Sequence, residues 1–267
     1  MSEKITSQSR PSQPGHSPLG ERGGLDINCD MGEGIGNDAA IMPFITSANI
    51  ACGYHAGDEE TMRTTIQLAK QHGVNIGVHP SFFDRENFGR TEKETMPADV
   101  YQLVTEQLVL FKKIAAAASA NIHHVKPHGA LYNMAARDAG LAKAVAQAVK
   151  DFDANLVLVG LSGSVSISEA KAAGLQTLSE VFADRTYLDN GSLTPRSQSN
   201  ALIEDEAKAI QQVLQMVTRK TVMSISGKEV PIVAETVCIH GDGKNAVPFA
   251  RTIFRTLQQY NLVSKAF

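Results

Sequence analysis

A chain of 267 residues, 43% hydrophobic and 20% charged, has the composition of a globular protein. Its formal net charge of −3 argues against a nucleic-acid or membrane-surface partner. The absence of any run of about 18 apolar residues excludes a transmembrane helix, and three cysteines are too few for a disulfide framework, so we expect a cytoplasmic protein.

The first 24 residues differ in composition from the rest of the chain. They are rich in Ser, Gln, Pro and Gly and contain almost no large apolar residues. Such a segment cannot bury enough apolar surface to fold, and it lacks the apolar stretch of a secretory signal. We predict a disordered extension over residues 1–24 and one catalytic domain over residues 25–267.

From Leu25 onwards, short apolar segments alternate with longer amphipathic ones. The predicted strands are 25–28, 46–51, 74–78, 123–126, 156–159, 177–181 and 236–240. The predicted helices are 59–72, 98–118, 139–151, 164–173, 204–217 and 243–260. Asp58 is a candidate N-cap and Gly73 a candidate C-terminal stop for the first of these helices.

This repeated strand–helix alternation indicates an α/β fold with a parallel sheet and helices outside it. At this length we predict that seven strands close into a TIM-like barrel. Residues 222–233 interrupt the alternation and predict a hairpin that turns at Ser226 and Gly227.

Ionisable and polar side chains follow the predicted strands far more often than they precede them. Active sites of β/α barrels are built from the loops after the strands, so these side chains are the candidates for chemistry. They are Asp30, Glu33, His55, Asp58, His79, Lys126, His128, Asn133, Glu180, Asp184, Arg185, Arg196, His240 and Asp242.

Alternation within the strands supports the same site. Successive residues of a strand face opposite sides, so Asp26, Asn28 and Asp30 share one side, as do Lys126 and His128. Buried charges are costly unless they are paired or hydrated. We therefore expect these residues to line a pocket, which adds Asn28 to the candidates.

The residues themselves leave the chemistry open. Histidines and carboxylates at strand ends could bind a catalytic metal, but the sequence contains neither H-E-x-x-H nor H-x-H. It also lacks the G-x-S-x-G motif of serine hydrolases and a P-loop. We assign no tightly bound metal.

Seven segments can be compared with known families as a set. They are D-I-N-C-D-M-G-E, N-I-A-C-G-Y-H-A-G-D, G-V-H-P-S-F-F-D, F-G-R, V-K-P-H-G-A-L-Y-N, E-V-F-A-D-R-x-Y and C-I-H-G-D. Together they resemble the LamB/YcsF family, from about Leu25 to the C-terminal helix. The resemblance implies an irregular seven-stranded β/α barrel, similar to that of the glycoside hydrolase/deacetylase superfamily.

The resemblance also implies an activity, the ATP-dependent opening of the 5-oxoproline (pyroglutamate) lactam to L-glutamate. In that family the chain works with two separately encoded partners, 5-oxoprolinase subunits B and C, and ATP would arrive with Mg²⁺. The expected catalytic residues are Asp30, Glu33, His55, Asp58, Lys126, His128, Glu180 and His240. The expected substrate- or phosphate-binding residues are Asn28, His79, Asn133, Asp184, Arg185, Arg196 and Asp242.

Two alternatives stay open at this point. One is a metal-dependent amidase or deacetylase that acts alone, and the other is a non-catalytic subunit that only binds substrate. The sequence leaves open whether the chain forms a homo-oligomer, which subunit binds ATP, and whether the chain is active without partners.

Overall fold

The computed structural model describes residues 24–241 and 246–263, so the proposed disordered extension lies, apart from Gly24, outside the described residues. The strands are β1 (Asp26–Met31), β2 (Ser47–Ala51), β3 (Asn75–His79), β4 (His124–Val125), β5 (Val157–Leu161), β6 (Gln176–Phe182), β7 (Thr221–Met223), β8 (Glu229–Pro231) and β9 (Thr236–Ile239). The helices are α1 (Asp38–Ile41), α2 (Glu59–His72), α3 (Pro97–Ala117), α4 (Gly129–Ala135), α5 (Ala139–Phe152), α6 (Val165–Ala172), α7 (Glu206–Arg219) and α8 (Ala246–Gln259). Within these residues, none of the helices combines the length and the apolar character needed to cross a lipid bilayer.

Seven parallel strands close into a barrel in the order β1-β2-β3-β4-β5-β6-β9. The ring closes at β1, which pairs with β2 on one side and with β9 on the other. The predicted seven-stranded TIM-like barrel is therefore confirmed. The predicted hairpin is confirmed as well, because β7 and β8 pair antiparallel in a separate two-stranded sheet.

Helix α2 shows how the local sequence sets the bounds of an element. The Asp58 carboxylate accepts a hydrogen bond from the Thr61 backbone N–H at 2.8 Å and so caps the start of the helix. Gly73 follows the last helical residue with φ of 65°, a conformation that side chains disfavour. The predicted bounds of 59–72 are those observed.

The structure differs most from the sequence prediction in β1, α1 and α4, while the bounds of other elements shift by one or two residues. Strand β1 runs to Met31 instead of ending at residue 28, because β2 pairs with it as far as Met31. Helices α1 and α4 were not predicted, since four and seven residues are too few to show a helical period. Helix α8 is described only from Ala246, because residues 242–245 lie outside the described part of the chain.

The main hydrophobic core lies between the outer face of the barrel and the surrounding helices. Ile27 and Ile50 from the strands and Leu108 and Phe111 from α3 are fully buried there. Inside the barrel, three residues form a small separate apolar cluster: Val157, Val159 and Leu178. The interior is thus apolar at these three residues of β5 and β6, and polar beside β1, β2 and β4.

A column of hydrogen bonds fills the polar side of the interior. Asp26 accepts hydrogen bonds from the hydroxyls of Thr46, Ser47 and Thr236. Asn28 donates to Thr236 Oγ1 at 2.6 Å. Asp26 and Asn28 are therefore committed to barrel structure, and this corrects the expectation that their side of β1 would line a pocket throughout.

The column continues toward the carboxyl ends of the strands. Asn49 donates to Asn28 Oδ1 at 2.8 Å and to Asp30 Oδ1 at 2.8 Å. His124 Nε2 lies 2.8 Å from Asn49 Oδ1, and burial lowers the pKa of that histidine well below its ordinary value, so it donates as a neutral ring. Polar groups buried at this depth are tolerated because each has a partner.

Two neighbouring residues of α3 give a direct test of the core. We predict that Leu108→Ala lowers the free energy of unfolding by about 2–5 kcal/mol, because a fully buried side chain is lost. Val109→Ala is the matched control, since that side chain is 57% exposed, and we expect a change within about 0.5 kcal/mol. Urea denaturation followed by circular dichroism measures both. Equal losses for the two variants would contradict the assignment of the buried face.

Candidate active site

A cavity of about 660 Å³ opens at the carboxyl ends of the barrel strands, where the fold predicts an active site. The structure brings nine of the predicted site residues to its wall: Asp30, Glu33, His79, Lys126, His128, Asn133, Arg185, Arg196 and His240. Three more lie directly behind lining residues: His55 behind His128, Glu180 behind Lys126, and Asp184 behind His240.

Lys126 forms the floor of the cavity. Its ammonium group lies 2.9 Å from Asp30 Oδ1 on β1 and 2.8 Å from Glu180 Oε1 on β6. It also donates to Asn28 Oδ1 at 3.2 Å and to Cys238 Sγ at 3.3 Å. A single buried cation therefore links β1, β6 and β9 across the barrel.

The charges on the floor stabilise one another. Burial alone would lower the pKa of Lys126, but the carboxylates of Asp30 and Glu180 raise it well above its ordinary value. Burial likewise opposes ionisation of Asp30, but His79 and Lys126 hold its pKa well below the ordinary value. Lys126 is therefore an ammonium ion and Asp30 a carboxylate.

A cluster of three histidines and one carboxylate forms one wall. We define the histidine cluster as Glu33, His55, His79 and His128. His128 Nδ1 lies 2.9 Å from His79 Nε2, and His55 Nε2 lies 3.1 Å from Glu33 Oε1. The rings of His55 and His128 stack with their centroids 3.8 Å apart. The cluster belongs to four different loops or strand ends, and all its side chains are nearly buried.

Two of the histidines are held in the neutral form. Burial and then His79 lower the pKa of His55 to about 3. Burial, followed by His55 and His79, lowers the pKa of His128 well below its ordinary value. Uncharged imidazoles at neutral pH are suited to accept a proton or to coordinate a metal.

Glycine packing fixes the backbone around the cluster. Gly89 and Gly129 have φ of 69° and 56°, and a Cβ on Gly129 would lie 2.4 Å from the Gly89 carbonyl oxygen. A Cβ on Gly89 would lie 2.8 Å from His55 Cβ and 2.9 Å from His128 Cδ2. The two loops can therefore approach only because glycine occupies both positions.

The opposite wall comes from the connection between β6 and α7. Asp184 accepts a hydrogen bond from His240 Nδ1 at 2.8 Å, and Arg196 donates to His240 Nε2 at 2.9 Å. Because a guanidinium only donates, His240 Nε2 is the acceptor and the ring carries its proton on Nδ1. Burial alone would raise the pKa of Asp184, but the contact with His240 lowers it below its ordinary value.

Arg185 is more constrained than its predicted binding role assumed. Its guanidinium donates to the backbone carbonyls of Thr194 at 2.6 Å and Ala201 at 3.2 Å. Burial and then Arg196 lower its pKa to about 10, so it stays charged at neutral pH. Arg185 therefore holds the β6–α7 connection in place while it faces the cavity.

Three predicted residues do not join the site in the expected way. Asp58 is fully exposed and caps α2, so its catalytic assignment is corrected to a structural one. Asn28 lies below Lys126 in the polar column and does not line the cavity, so it positions the lysine and is not a substrate ligand. Asp242 lies outside the described residues.

Sequence reasoning missed several residues of the site. Asn49 lies within a predicted strand, where a lone amide gave no signal of its partner. Ser81 is one of the polar residues that follow the third predicted strand, but its hydroxyl gave no signal of its contact with His55. The segment Ser162, Gly163 and Ser164 lines the cavity at the start of α6. It matches a nucleophile motif only loosely, but its position after β5 follows the same strand-end rule and could have identified it.

The described residues contain two groups of ligand atoms close enough to share a metal ion. The first is the histidine cluster, whose four donor atoms all lie within 4.8 Å of one another. The second is Asp30, Cys238 and His240. Burial raises the pKa of the Cys238 thiol well above its ordinary value, so the free cysteine there is protonated.

Comparisons with known proteins agree with the resemblance read from the segments. The LamB/YcsF family model matches residues 25–267. The chain is 50% identical over 247 residues to the A subunit of 5-oxoprolinase from Tolumonas auensis, covering 91% of this chain and 98% of that protein. It is 52% identical over 234 residues to the A subunit of 5-oxoprolinase from Staphylococcus carnosus, covering 86% and 93%.

A solved structure supports the same relationship. The crystal structure of the lactam utilization protein from Thermus thermophilus superposes with a TM-score of 0.84 at 41% identity. The alignment covers 91% of this chain and 100% of the other. The barrel described above is therefore the fold of that protein too.

The ion pairs of Lys126 with Asp30 and Glu180, which form the floor of the cavity, can be tested by a pair of substitutions. We predict that Lys126→Met lowers the free energy of unfolding by about 3–5 kcal/mol, because it leaves two buried carboxylates without their cation. Adding Glu180→Gln should recover part of that loss, since it removes one of the two orphaned charges. Chemical denaturation measures the cycle.

The matched control for the floor is Lys143→Met, which removes an exposed lysine of α5. We expect a change within about 0.5 kcal/mol. If the Lys126→Met variant is as stable as the control, or if Glu180→Gln adds a further loss in the double variant, Lys126 does not neutralise Glu180.

Proposed function

We propose that this chain, which belongs to the LamB/YcsF family, is the A subunit of an ATP-dependent 5-oxoprolinase. The reaction consumes 5-oxo-L-proline, ATP and water and yields L-glutamate, ADP and phosphate. The observation that carries the proposal is the convergence, in one cavity, of the histidine cluster, the ion pairs of Lys126, and an arginine wall formed by Arg185 and Arg196. The chain is also about half identical to proteins named as A subunits of 5-oxoprolinase.

The size and charge of the cavity support this reaction. A volume of about 660 Å³ lies within the usual range for small-molecule sites and exceeds what so small a lactam needs. The surplus leaves space for a phosphate-bearing co-substrate. Arg185, Arg196 and the start of α6 face that space and supply positive charge for anionic groups.

The chemistry explains why ATP is needed. A γ-lactam amide is a poor electrophile, so water attacks it slowly. Transfer of a phosphoryl group to the amide oxygen gives an imidate-like phosphate, whose carbon accepts water and then releases phosphate as the ring C–N bond breaks. This route needs cations to bind phosphate and the substrate carboxylate, and a neutral base to take a proton from water.

The structure suggests how these roles are divided. Lys126 is already paired with two carboxylates. We therefore assign it to hold Asp30 and Glu180 in position and not to bind phosphate. Arg196 lies at the mouth of the cavity, where an incoming anion first meets the protein. His128 lines the cavity as a neutral ring beside the carboxylates Glu33 and Asp30, and the proposed base is one of these three groups.

The proposal includes two partner subunits, B and C, because the relatives are named as one subunit of a larger enzyme. ATP with Mg²⁺ is the proposed co-substrate, and the Mg²⁺ would neutralise phosphate charge during transfer. Carboxylates on the cavity wall, Asp30 and Glu33, are the residues of this chain that could contact that ion.

The test is glutamate release from 5-oxoproline, measured with ATP and with subunits B and C present or absent. We expect turnover that requires ATP and both partners. Glutamate release by this chain alone without ATP would favour a stand-alone amidase. Full activity of the partners without this chain would show that it is not catalytic.

Substitution of Arg196 tests the arginine wall. We predict that Arg196→Gln raises KM for ATP or 5-oxoproline about tenfold, because a charge-assisted contact to an anion is lost, while kcat changes less. Arg196→Lys should keep part of the affinity. Steady-state kinetics of the assembled enzyme gives both constants.

The control is Arg63→Gln, which removes an exposed arginine on the outer surface of α2. It should leave both constants unchanged. An Arg196→Gln enzyme with an unchanged KM for both substrates would remove Arg196 from the binding site.

A further inference from the structure

We propose that the histidine cluster is a site for a divalent first-row transition metal, with zinc the best fit, bound by His55 Nε2, His79 Nε2, His128 Nδ1 and Glu33 Oε1. The inference does not rest on the proposed reaction. It rests on the hydrogen bonds that fix which nitrogen of each ring carries a proton.

In each ring, we call the nitrogen that points away from the centre of the cluster the outer nitrogen. The outer nitrogens of His79 and His128 both face backbone carbonyls. His79 Nδ1 lies 2.6 Å from the Lys126 carbonyl oxygen, and His128 Nε2 lies 2.9 Å from the Phe88 carbonyl oxygen. A carbonyl only accepts hydrogen bonds, so each outer nitrogen must carry a proton. With those protons placed, the inner nitrogens, His79 Nε2 and His128 Nδ1, are the ones left to bind a proton or a metal ion.

The outer nitrogen of His55 is fixed in the same way through a hydroxyl. Ser81 Oγ donates to the Phe82 carbonyl at 3.0 Å and lies 2.8 Å from His55 Nδ1. Because the hydroxyl proton is already used, Ser81 accepts the proton of His55 Nδ1. His55 Nε2 is therefore also left to bind a proton or a metal ion, and it points at the Glu33 carboxylate.

Four potential ligand atoms, one from each residue of the cluster, thus converge on one point. The measured separations are 2.9 Å for His79–His128, 3.1 Å for His55–Glu33 and 3.6 Å for His128–Glu33. Ligands in a tetrahedron around zinc, at about 2.05 Å, are separated by about 3.3 Å. Atoms with lone pairs approach this closely only when a proton or a metal ion lies between them, and one metal ion could serve all four.

The surroundings of the cluster match those of metal-binding histidines elsewhere. Such histidines commonly donate their other ring N–H to a carbonyl, carboxylate or other acceptor, which orients the ring. All three histidines do so here. Asp30 Oδ2 lies 3.3 Å from His79 Nε2 and adds a second negative charge beside the site.

The ligand types narrow the choice of metal ion. Three imidazoles and one carboxylate suit zinc and its first-row neighbours better than Mg²⁺ or Ca²⁺, which prefer oxygen ligands. Glu33, His79 and His128 also line the cavity, so the metal would have a face open to an oxygen of water or substrate.

The second group of ligand atoms is a poorer candidate for the same ion. Asp30, Cys238 and His240 lie close together, but the Lys126 ammonium is 2.9 Å from Asp30 and 3.3 Å from Cys238. A cation already occupies the space between those two ligands. A metal there would meet direct electrostatic repulsion.

The test uses the full untagged chain, without ATP, 5-oxoproline or partner subunits, so its outcome is separate from that of the proposed reaction. The protein is stripped with a chelator, dialysed against zinc and passed over a chelating resin, and its metal content is measured. We expect about one zinc per chain in the wild type. A wild-type chain that retains none would overturn the proposal.

Two variants test whether the metal binds at the histidine cluster. His128→Ala removes a ligand and should abolish retention. Ser81→Ala removes the acceptor of His55 Nδ1 but none of the four ligands, and we expect it to weaken zinc binding about 10–100-fold in competition with a chromogenic chelator while the fold is kept. His72→Ala is the matched control, because it removes an exposed histidine of α2. Wild-type affinity in the Ser81→Ala variant would contradict the site, even if His128→Ala fails to fold.

Cobalt(II) gives an independent measurement of the ligand set. The visible absorption of cobalt in the wild type should be that of nitrogen and oxygen ligands at low coordination number, and Ser81→Ala should reduce its intensity at a fixed cobalt concentration. An intense near-ultraviolet band from a thiolate–cobalt bond would place the metal at Cys238 and overturn the assignment.

Discussion

The site depends on one buried ammonium group, that of Lys126. It lies between carboxylates from β1 and β6, two strands that are on opposite sides of β9 in the closed ring. Two buried carboxylates at this depth would be too costly without a cation between them. The position of Asp30, and with it one edge of the histidine cluster, therefore follows from the position of Lys126.

The two walls of the cavity are built from different kinds of segment. The histidine wall joins strand ends and loops that interlock at Gly89 and Gly129, where a side chain would collide with the neighbouring backbone. The arginine wall belongs to the long connection between β6 and α7, which Arg185 holds through backbone carbonyls. Fixed backbone contacts around the histidines suit chemistry that needs donor atoms in a set geometry.

Much of this arrangement could be read from the sequence. The strand–helix alternation predicts the barrel, and the strand-end rule identifies Asp30, Lys126 and His128 without knowledge of any partner. The rule fails for Asp58, because a carboxylate after a strand is also the usual N-cap of the next helix. It fails for Asn28, because parity identifies the inward side of a strand but not the depth at which the cavity ends.

The remaining features are set by contacts that no side-chain pattern encodes. The tautomers of His79 and His128 are determined by the carbonyl oxygens of Lys126 and Phe88. Those oxygens depend on the path of the backbone through the two loops, so the identity of Phe88 gives no sign of its part in the site. The segment V-K-P-H consequently acts twice: the Lys126 side chain neutralises the floor, and the Lys126 carbonyl orients a histidine of the wall. Because the backbone makes the second contact, a change of the lysine side chain can separate the electrostatics of the floor from the geometry of the histidines.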